Sequence, residues 1–316
     1  MDTASVAEPP RQIIVYPTED HDALFQSLDL NRSDYILEVG GGSNPFKYAN
    51  VVVDIDIHSG HHRNGKNIPI HTTKNLVQGD LQNLPFLNKC FDMVLCIQVL
   101  EHIENPAKAC KELMRVAKKG FIEVPRKWTE HYAGYPTHQW LIDEKRGGLV
   151  FEPVTCEGFP FLNFSLPPLW DSQTLRQTAL HSYRNIPCVQ LYWTDNFKYT
   201  IREDDIAYVK AQAKNASFLA KRHYSFAKNL LYWLSPPENG FYHAQRAVDL
   251  FPENADYQYL FFSYLIMTGK WKEAWRMRPS LIVFFKGLIS LLASKSYHSL
   301  RRIMRKNLLF LYSDPK

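Results

Sequence analysis

An α/β fold, a doubly wound and mostly parallel sheet with a C-terminal α-helical extension, is what this sequence predicts. Three observations carry it. Five short apolar runs follow one another between Tyr35 and Pro125, the first three with a carboxylate at or near the end. A glycine triplet, Gly40-Gly41-Gly42, breaks the first run. Beyond about Asp205 the pattern becomes helical. Strand-length runs alternating with helical spacing argue a parallel sheet, whose ligands sit beyond the carboxyl ends of its strands.

The elements follow in order. Met1 to Arg11 carries acids and two prolines without an apolar core, so residues 1–19 are expected to be a loose tail and not a secretory signal. Asp20 to Leu30 has the spacing of a short helix. Tyr35 to Val39 reads as a buried strand that ends in Glu38 and breaks into the glycine loop, where the backbone can approach a ligand that any Cβ would push away. Val51 to Asp54, Leu76 to Leu81, Phe91 to Ile97 and Gly120 to Pro125 are the next four strands, and Ala107 to Lys118 is a helix between the last two. Arg126 to Pro168, rich in aromatics, Gly and Pro, has the composition of binding loops and short inserted strands at an active-site rim. Val189–Trp193 and Phe197–Ile201 bracket Thr194-Asp195-Asn196 and read as a hairpin completing the sheet. These elements make residues 20–205 one domain and residues 206–316 a basic helical region.

At 316 residues, 45% hydrophobic and 22% charged, the composition is that of an ordinary globular protein. No run approaches the roughly 18 apolar residues of a membrane-spanning helix. The five cysteines (Cys90, Cys96, Cys110, Cys156, Cys188) are odd in number and scattered, which argues against a disulfide framework or a zinc site and for a reducing, cytoplasmic setting. The net charge of +5 is unevenly divided. From Lys214 onward 16 Lys and Arg face 6 Asp and Glu, whereas 21 basic and 26 acidic residues precede them. A basic tail calls for an acidic partner.

Within that tail, Ala244 to Ala255 and Tyr264 to Ala274 give the order helix, Pro-Glu-Asn-Ala turn, helix, which resembles a single tetratricopeptide unit. About three such units make a free-standing solenoid, so an appendage docked on the domain is expected. Over residues 281–312, Phe285, Leu288, Ile289, Leu292, Leu300, Ile303 and Met304 keep helical spacing opposite Lys286, Lys295, Arg301, Arg302, Arg305 and Lys306. That pattern suits either a packed terminal helix with a solvated face or a helix lying on an anionic membrane surface or a protein partner.

Taken together, Glu38-Val39-Gly40-Gly41-Gly42-Ser43, Asp54, Gly79-Asp80-Leu81, the Leu84-Pro85-Phe86 turn before Phe91-Asp92, and Val99-Leu100-Glu101-His102-Ile103 resemble the class I S-adenosylmethionine-dependent methyltransferases, type-11 group. The resemblance runs from Asp34 to Pro125 and implies a Rossmann-like methyltransferase fold with S-adenosyl-L-methionine as cofactor. It implies that Gly40, Gly41, Gly42 and Asn44 surround the methionine portion and that Glu38 holds its cationic amino end. Asp54 then takes both ribose hydroxyls, since a carboxylate accepts two hydrogen bonds side by side, with Asp56 as the alternative. Asp80 accepts from the adenine amino group beside Leu81, unless it only caps a helix. Gln98, after the fourth strand, completes the cofactor set. In two respects the chain departs from the family: Asn44-Pro45 stands where a third glycine is usual, and Gly42 to Asp54 leaves no room for a full crossover helix.

Methyl transfer from a sulfonium needs orientation, exclusion of water and, for a hydroxyl acceptor, a place for the proton. His138 and His131, in the stretch from His131 to Trp140, are the candidates for that role, with structural loop histidines as the alternative. Asp56, His58, His61, His62 and His71 cluster in sequence but lack a frame or a second ligand pair, so no metal is expected there. The sequence favours transfer to a small-molecule, saccharide or lipid-linked acceptor, in the cytoplasm or at a membrane periphery. A non-catalytic adaptor working through the basic tail is the alternative. Pro45 at the third position of Gly-x-Gly-x-x-Gly argues against a nicotinamide enzyme, and nucleic acid is not favoured because the domain shows no aromatic-interleaved basic groove.

Overall fold

Runs such as Ile36-Leu37-Glu38-Val39 and Val51-Val52-Val53-Asp54 lack the polar alternation of a one-sided sheet, and a strand of that kind must be covered on both faces. The computed structural model shows this, describing residues 20–58, 75–133, 135–155, 187–232 and 237–277. The strands are β1 (Ile36–Val39), β2 (Val51–Asp54), β3 (Leu76–Gln78), β4 (Phe91–Ile97), β5 (Ala117–Pro125) and β8 (Cys188–Thr194). They form one sheet in the order β3-β2-β1-β4-β5-β8, parallel throughout except that β8 runs antiparallel to β5. The order reverses direction at β1, between β2 and β4, which is where open α/β sheets form a crevice.

The two-residue period of the strands sends alternate side chains into two cores. Leu37, Val39, Val51, Val53, Val94 and Cys96 pack with Ala109, Cys110, Leu113 and Val116 of α2 (Pro106–Val116). On the other face Ile36, Val52, Met93, Leu95 and Phe121 pack with Leu24 and Leu28, from α1 (His21–Ser27) and its C-cap, and with Phe46 and Ala49. No helix joins β1 to β2. The helix that precedes β1, capped by the Asp20 carboxylate on the amides of Asp22 and Ala23, covers that face together with the buried Phe46. The short crossover is thus filled by an aromatic plug.

Helix α2 starts where Asn105 caps it and Pro106 supplies a preset first turn. From this helix Glu112 accepts the Leu84 amide at 2.7 Å, while Arg115 donates to the carbonyls of Leu84 and Phe86. These bonds hold the Leu84-Pro85-Phe86 turn ahead of β4.

The stretch after Pro125 is more regular than its composition suggests. It forms α3 (Lys127–Ala133) and a hairpin of β6 (Trp140–Lys145) and β7 (Gly148–Pro153), turning at Arg146-Gly147, both with positive φ. The hairpin expected over Val189–Ile201 does not form. β8 pairs with β5, whereas β9 (Lys198–Thr200) leaves that sheet and pairs in parallel with β7 in a second, three-stranded sheet. Thr194 and Asn196 meet only in an isolated bridge. The physical reason is that β8 finds a longer ladder elsewhere: seven of its residues face β5.

By compactness the chain divides into two units. The first comprises Met1–Tyr132, Thr137–Thr155 and Pro168–Val209. The second takes Ala133–Pro136, Cys156–Pro167 and Lys210–Lys316. Helix α4 (Glu203–Gln212) spans the division, with Arg202 on Asp205 at its start. In the second unit α5 (Ala216–Tyr232), α6 (Pro237–Leu250), α7 (Ala255–Met267) and α8 (Trp271–Met277) follow one another. Ala227, Ala244, Leu260 and Tyr264 form its core, and the Tyr264 hydroxyl donates to the Ala227 carbonyl at 2.7 Å. The Asn254 carboxamide caps α7. Among the described residues no helix is long and apolar enough to cross a membrane. The amphipathic segment 281–312 and the tail 1–19 lie outside the described residues.

Candidate functional site

At the carboxyl end of β1 the chain turns through Gly40 (φ 69°) and Gly42 (φ 58°), with the Gly40 amide bonded to the Val53 carbonyl at 2.7 Å. A Cβ on Gly40 would lie 2.4 Å from Val99 Cγ2, and one on Gly41 would lie 2.8 Å from Glu38 Oε2. The loop is therefore wedged between the start of the post-β4 turn and the β1 carboxylate, and only glycine fits there.

Glu38 points to the α1 face, as the strand period requires, and is 5% exposed. Its Oε2 accepts the Phe46 amide at 2.7 Å, which ties the crossover back to the strand. Burial pushes its carboxyl up to about 8; the Phe46 bond opposes this and the nearby Asp54 charge adds to it. A buried acid so poised gains most from a cation arriving beside it.

Asp54 ends β2, is 9% exposed, and its Oδ1 accepts the Asp56 amide at 2.9 Å. Asp56 in turn accepts the His58 amide, so its carboxylate braces its own loop. Asp80 follows β3 and no helix begins there. Its carboxylate accepts the Gln82 amide at 2.8 Å and is also held by the Gln82 carboxamide. Leu81, 3% exposed, gives its side chain to the core, so its backbone is the part that can meet a ring.

Two candidates are engaged differently from expectation. The Gln98 backbone is left-handed (φ 56°) and its amide bonds the Glu123 carbonyl. Its side-chain amide donates to Glu123 Oε1 at 3.1 Å, so the side chain ties β4 to β5. Glu123, fully buried, also accepts from Gln190 on β8 at 2.7 Å. Asn44 is turned toward α1, its Nδ2 3.4 Å from His21 Nε2. Neither orientation was legible from spacing, because both depend on which element lies alongside.

Beyond Val99 the chain forms a 3-10 turn, Leu100–His102. Glu101 in this turn is 1% exposed. The segment preceding β6 is fastened to it: the Gln139 amide donates to the Glu101 carbonyl at 2.7 Å, the Gln139 side chain to the His102 carbonyl at 2.8 Å, and the Trp140 indole to the Ile103 carbonyl at 2.7 Å. This brings the His138 ring edge-on to His102, with centroids 4.5 Å apart. His138 is 6% exposed and its Nδ1 lies 2.8 Å from Oε1 of Glu130, on α3, an ion-pair contact whose alignment falls short of a hydrogen bond. Burial pushes the Glu101 carboxyl up to about 7, against the pull of His138.

Glu130 and Glu123 were not singled out from sequence; a carboxylate at the fourth position of a short helix carries no motif. The His131 side chain, and His61, His62 and His71, lie outside the described residues. Tyr135 belongs to the second unit, its ring on Phe226. A cavity of 330 Å³ lined by Phe25, Arg32, Lys47, Tyr48 and Asn50 lies at the amino end of β1, the opposite end of the sheet from these acids.

Residues 37–122 match the family described as a methyltransferase domain. No curated protein gives a significant match. Among solved structures the chain is similar to the YcgJ protein of Bacillus subtilis, at 16% identity over 37% of this chain and 59% of that one, with a TM-score of 0.29. A putative methyltransferase of Bacillus halodurans is 19% identical over 40% of this chain and 70% of that one, with a TM-score of 0.30. A possible histamine N-methyltransferase of Thermotoga maritima is 18% identical over 34% of this chain and 52% of that one, with a TM-score of 0.27. The first and third alignments thus span little more than half of those proteins' own lengths. The family match over 37–122 carries the assignment.

Proposed function

With residues 37–122 a class I methyltransferase domain of the type-11 group, whose cofactor is S-adenosylmethionine, we propose that the protein moves a methyl group from that cofactor to a small-molecule, saccharide or lipid-linked acceptor. The observation that carries the reading is the Gly40–Gly42 turn wedged between Glu38 and Val99, with Asp54 and Asp80 at the ends of the next two strands. The left-handed glycine turn at the end of β1 and the carboxylates that follow β2 and β3 suit a nucleoside joined to an amino acid.

S-adenosylmethionine supplies, when bound, a methyl on a sulfonium already activated for displacement. The chain's residues do the rest. Gly40, Gly41 and Gly42 admit the methionine portion, and Glu38 offers charge to its ammonium. Asp54 is the ribose ligand, favoured over Asp56 because it ends β2 next to Val53, whose carbonyl accepts the Gly40 amide of the glycine turn. Asp80 and the Leu81 backbone receive the adenine edge. Gln98 contributes through its strained backbone position while its side chain holds Glu123. His138, set by Glu130, stands on the acceptor side, where it holds the acceptor and helps remove its proton.

Calorimetric titration tests the cofactor reading. The protein is expected to bind S-adenosylmethionine, with Asp54→Ala and Asp80→Ala each weakening binding at least tenfold and NAD giving no heat. Absence of binding at millimolar cofactor would overturn it. Labelled-methyl transfer over fractionated extracts then identifies the acceptor as lipid, sugar or small molecule.

A further inference from the structure

We propose that Glu101, His102 and His138 form a binding site for a first-row divalent transition ion, of the zinc type, with Glu130 as the residue that positions His138. Sequence alone points away from metal, and to a different set of histidines. The structure brings together one carboxylate oxygen and one nitrogen from each of two imidazoles, all within 4.8 Å of one another, from segments 36 residues apart.

Three observations carry the site. Glu101 is 1% exposed, and neither carboxylate oxygen has a hydrogen-bond partner outside its own residue; His102 Nε2 lies 4.0 Å from Oε1. A buried carboxylate left in that state is costly, and a cation removes the cost. His102 Nδ1 lies 3.2 Å from the Thr137 carbonyl. A carbonyl only accepts, so Nδ1 carries the hydrogen and the lone pair is placed on Nε2, the atom facing Glu101. On His138, Nδ1 is met by Glu130, itself 1% exposed, at 2.8 Å. A carbonyl on one ring and a carboxylate on the other are the outer partners that orient metal-binding imidazoles. The scaffold is held too, since the Gln139 and Trp140 bonds clamp the Glu101–Ile103 backbone to the His138 segment.

The donor set selects the ion. Two imidazoles and one carboxylate suit zinc and its neighbours, whereas magnesium and calcium prefer oxygen ligands. With bonds of about 2.0–2.2 Å the donors would close to roughly 3.4 Å, a movement within side-chain reach. Three protein ligands leave a position open. The use of that position rests on the methyltransferase reading, with His138 then acting through the ion instead of as the base: a hydroxyl oxygen of the acceptor bound there would lose its proton to water, and its lone pair would form the new O–CH3 bond. The methyl–sulfur bond breaks with its electrons going to sulfur, leaving a neutral thioether.

The test is titration of chelator-stripped full-length protein with Zn2+, and with Co2+ for its visible absorption. One equivalent is expected to bind with nitrogen-oxygen spectral character. His102→Gln, at a half-buried position, and His138→Ala should each weaken binding at least tenfold, and Glu130→Gln about tenfold while also altering the cobalt spectrum. Circular dichroism and S-adenosylmethionine binding, measured without metal, report whether each variant is folded. Absence of stoichiometric binding, or equal affinity in a folded His102→Gln variant, would overturn the site, as would loss of binding only in His61→Ala/His62→Ala. Cofactor binding that survives in metal-free protein leaves the methyltransferase reading standing whichever way the metal result falls.

Discussion

The Phe46 amide donates to Glu38 Oε2 at 2.7 Å, joining the crossover's aromatic plug to the acid that ends β1. One buried carboxyl thus braces the fold beside the proposed cofactor cradle, and its raised pKa makes the structural role and the proposed one separable.

Glu38 is expected to make stability depend on pH. Its folded pKa, about 8, lies above the ordinary 4.5, so between those values the unfolded chain releases a proton that the folded chain keeps. Stability contributed by the neutral acid is present below the lower value and declines as pH rises to about 8, by at most about 1.4 kcal/mol per unit. Glu38→Gln, neutral throughout and still an acceptor for Phe46, should abolish that slope and be the more stable form at pH 8. Urea unfolding at pH 5, 6.5 and 8 measures it.

The same variant should bind cofactor less well. A cation beside Glu38 favours its ionised form, so binding expels a proton below pH 8 and tightens as pH rises toward 8, then levels off. Calorimetry in buffers of differing ionisation heat reads the proton directly; Glu38→Gln should show neither the proton nor the slope.

Gly40→Ala meets Val99 at 2.4 Å and forces a Cβ onto a backbone at φ 69°. The backbone alone should cost about 1–2 kcal/mol, and cofactor binding should be lost. Pairing it with Val99→Ala relieves the clash but not the backbone, so the double variant should recover part of the stability in thermal melts.

In the second unit, Tyr264→Phe removes the hydroxyl that donates to Ala227. A loss of about 1 kcal/mol is expected. Hydrogen exchange at the amides of α5 to α7 should record it while amides of the β1–β5 sheet stay unchanged.

Much of the first unit could be read from local pattern. The Gly40–Gly42 break and the acids at Glu38, Asp54 and Asp80 are visible because a strand end needs only a run of apolar residues and a stop. Asn105-Pro106 likewise announces its helix within a few residues. Glu123, Glu130 and the facing of His102 on His138 could not be read in that way. Each depends on a neighbour brought near by the sheet order or by the clamp of Gln139 and Trp140.

The sequence by itself determined the strands β1 to β5, the glycine turn and the acids that close the first three strands. All are set by short-range apolar period, turn chemistry and the position of a carboxylate at a strand end. Only the tertiary structure decided that β8 leaves its expected hairpin for β5 and that β9 joins β7. It alone gathered Glu101, Glu130, His102 and His138 into one corner. Strand pairing and the meeting of polar side chains are long-range choices, made by which partner buries more surface and completes more hydrogen bonds. No local spacing records them.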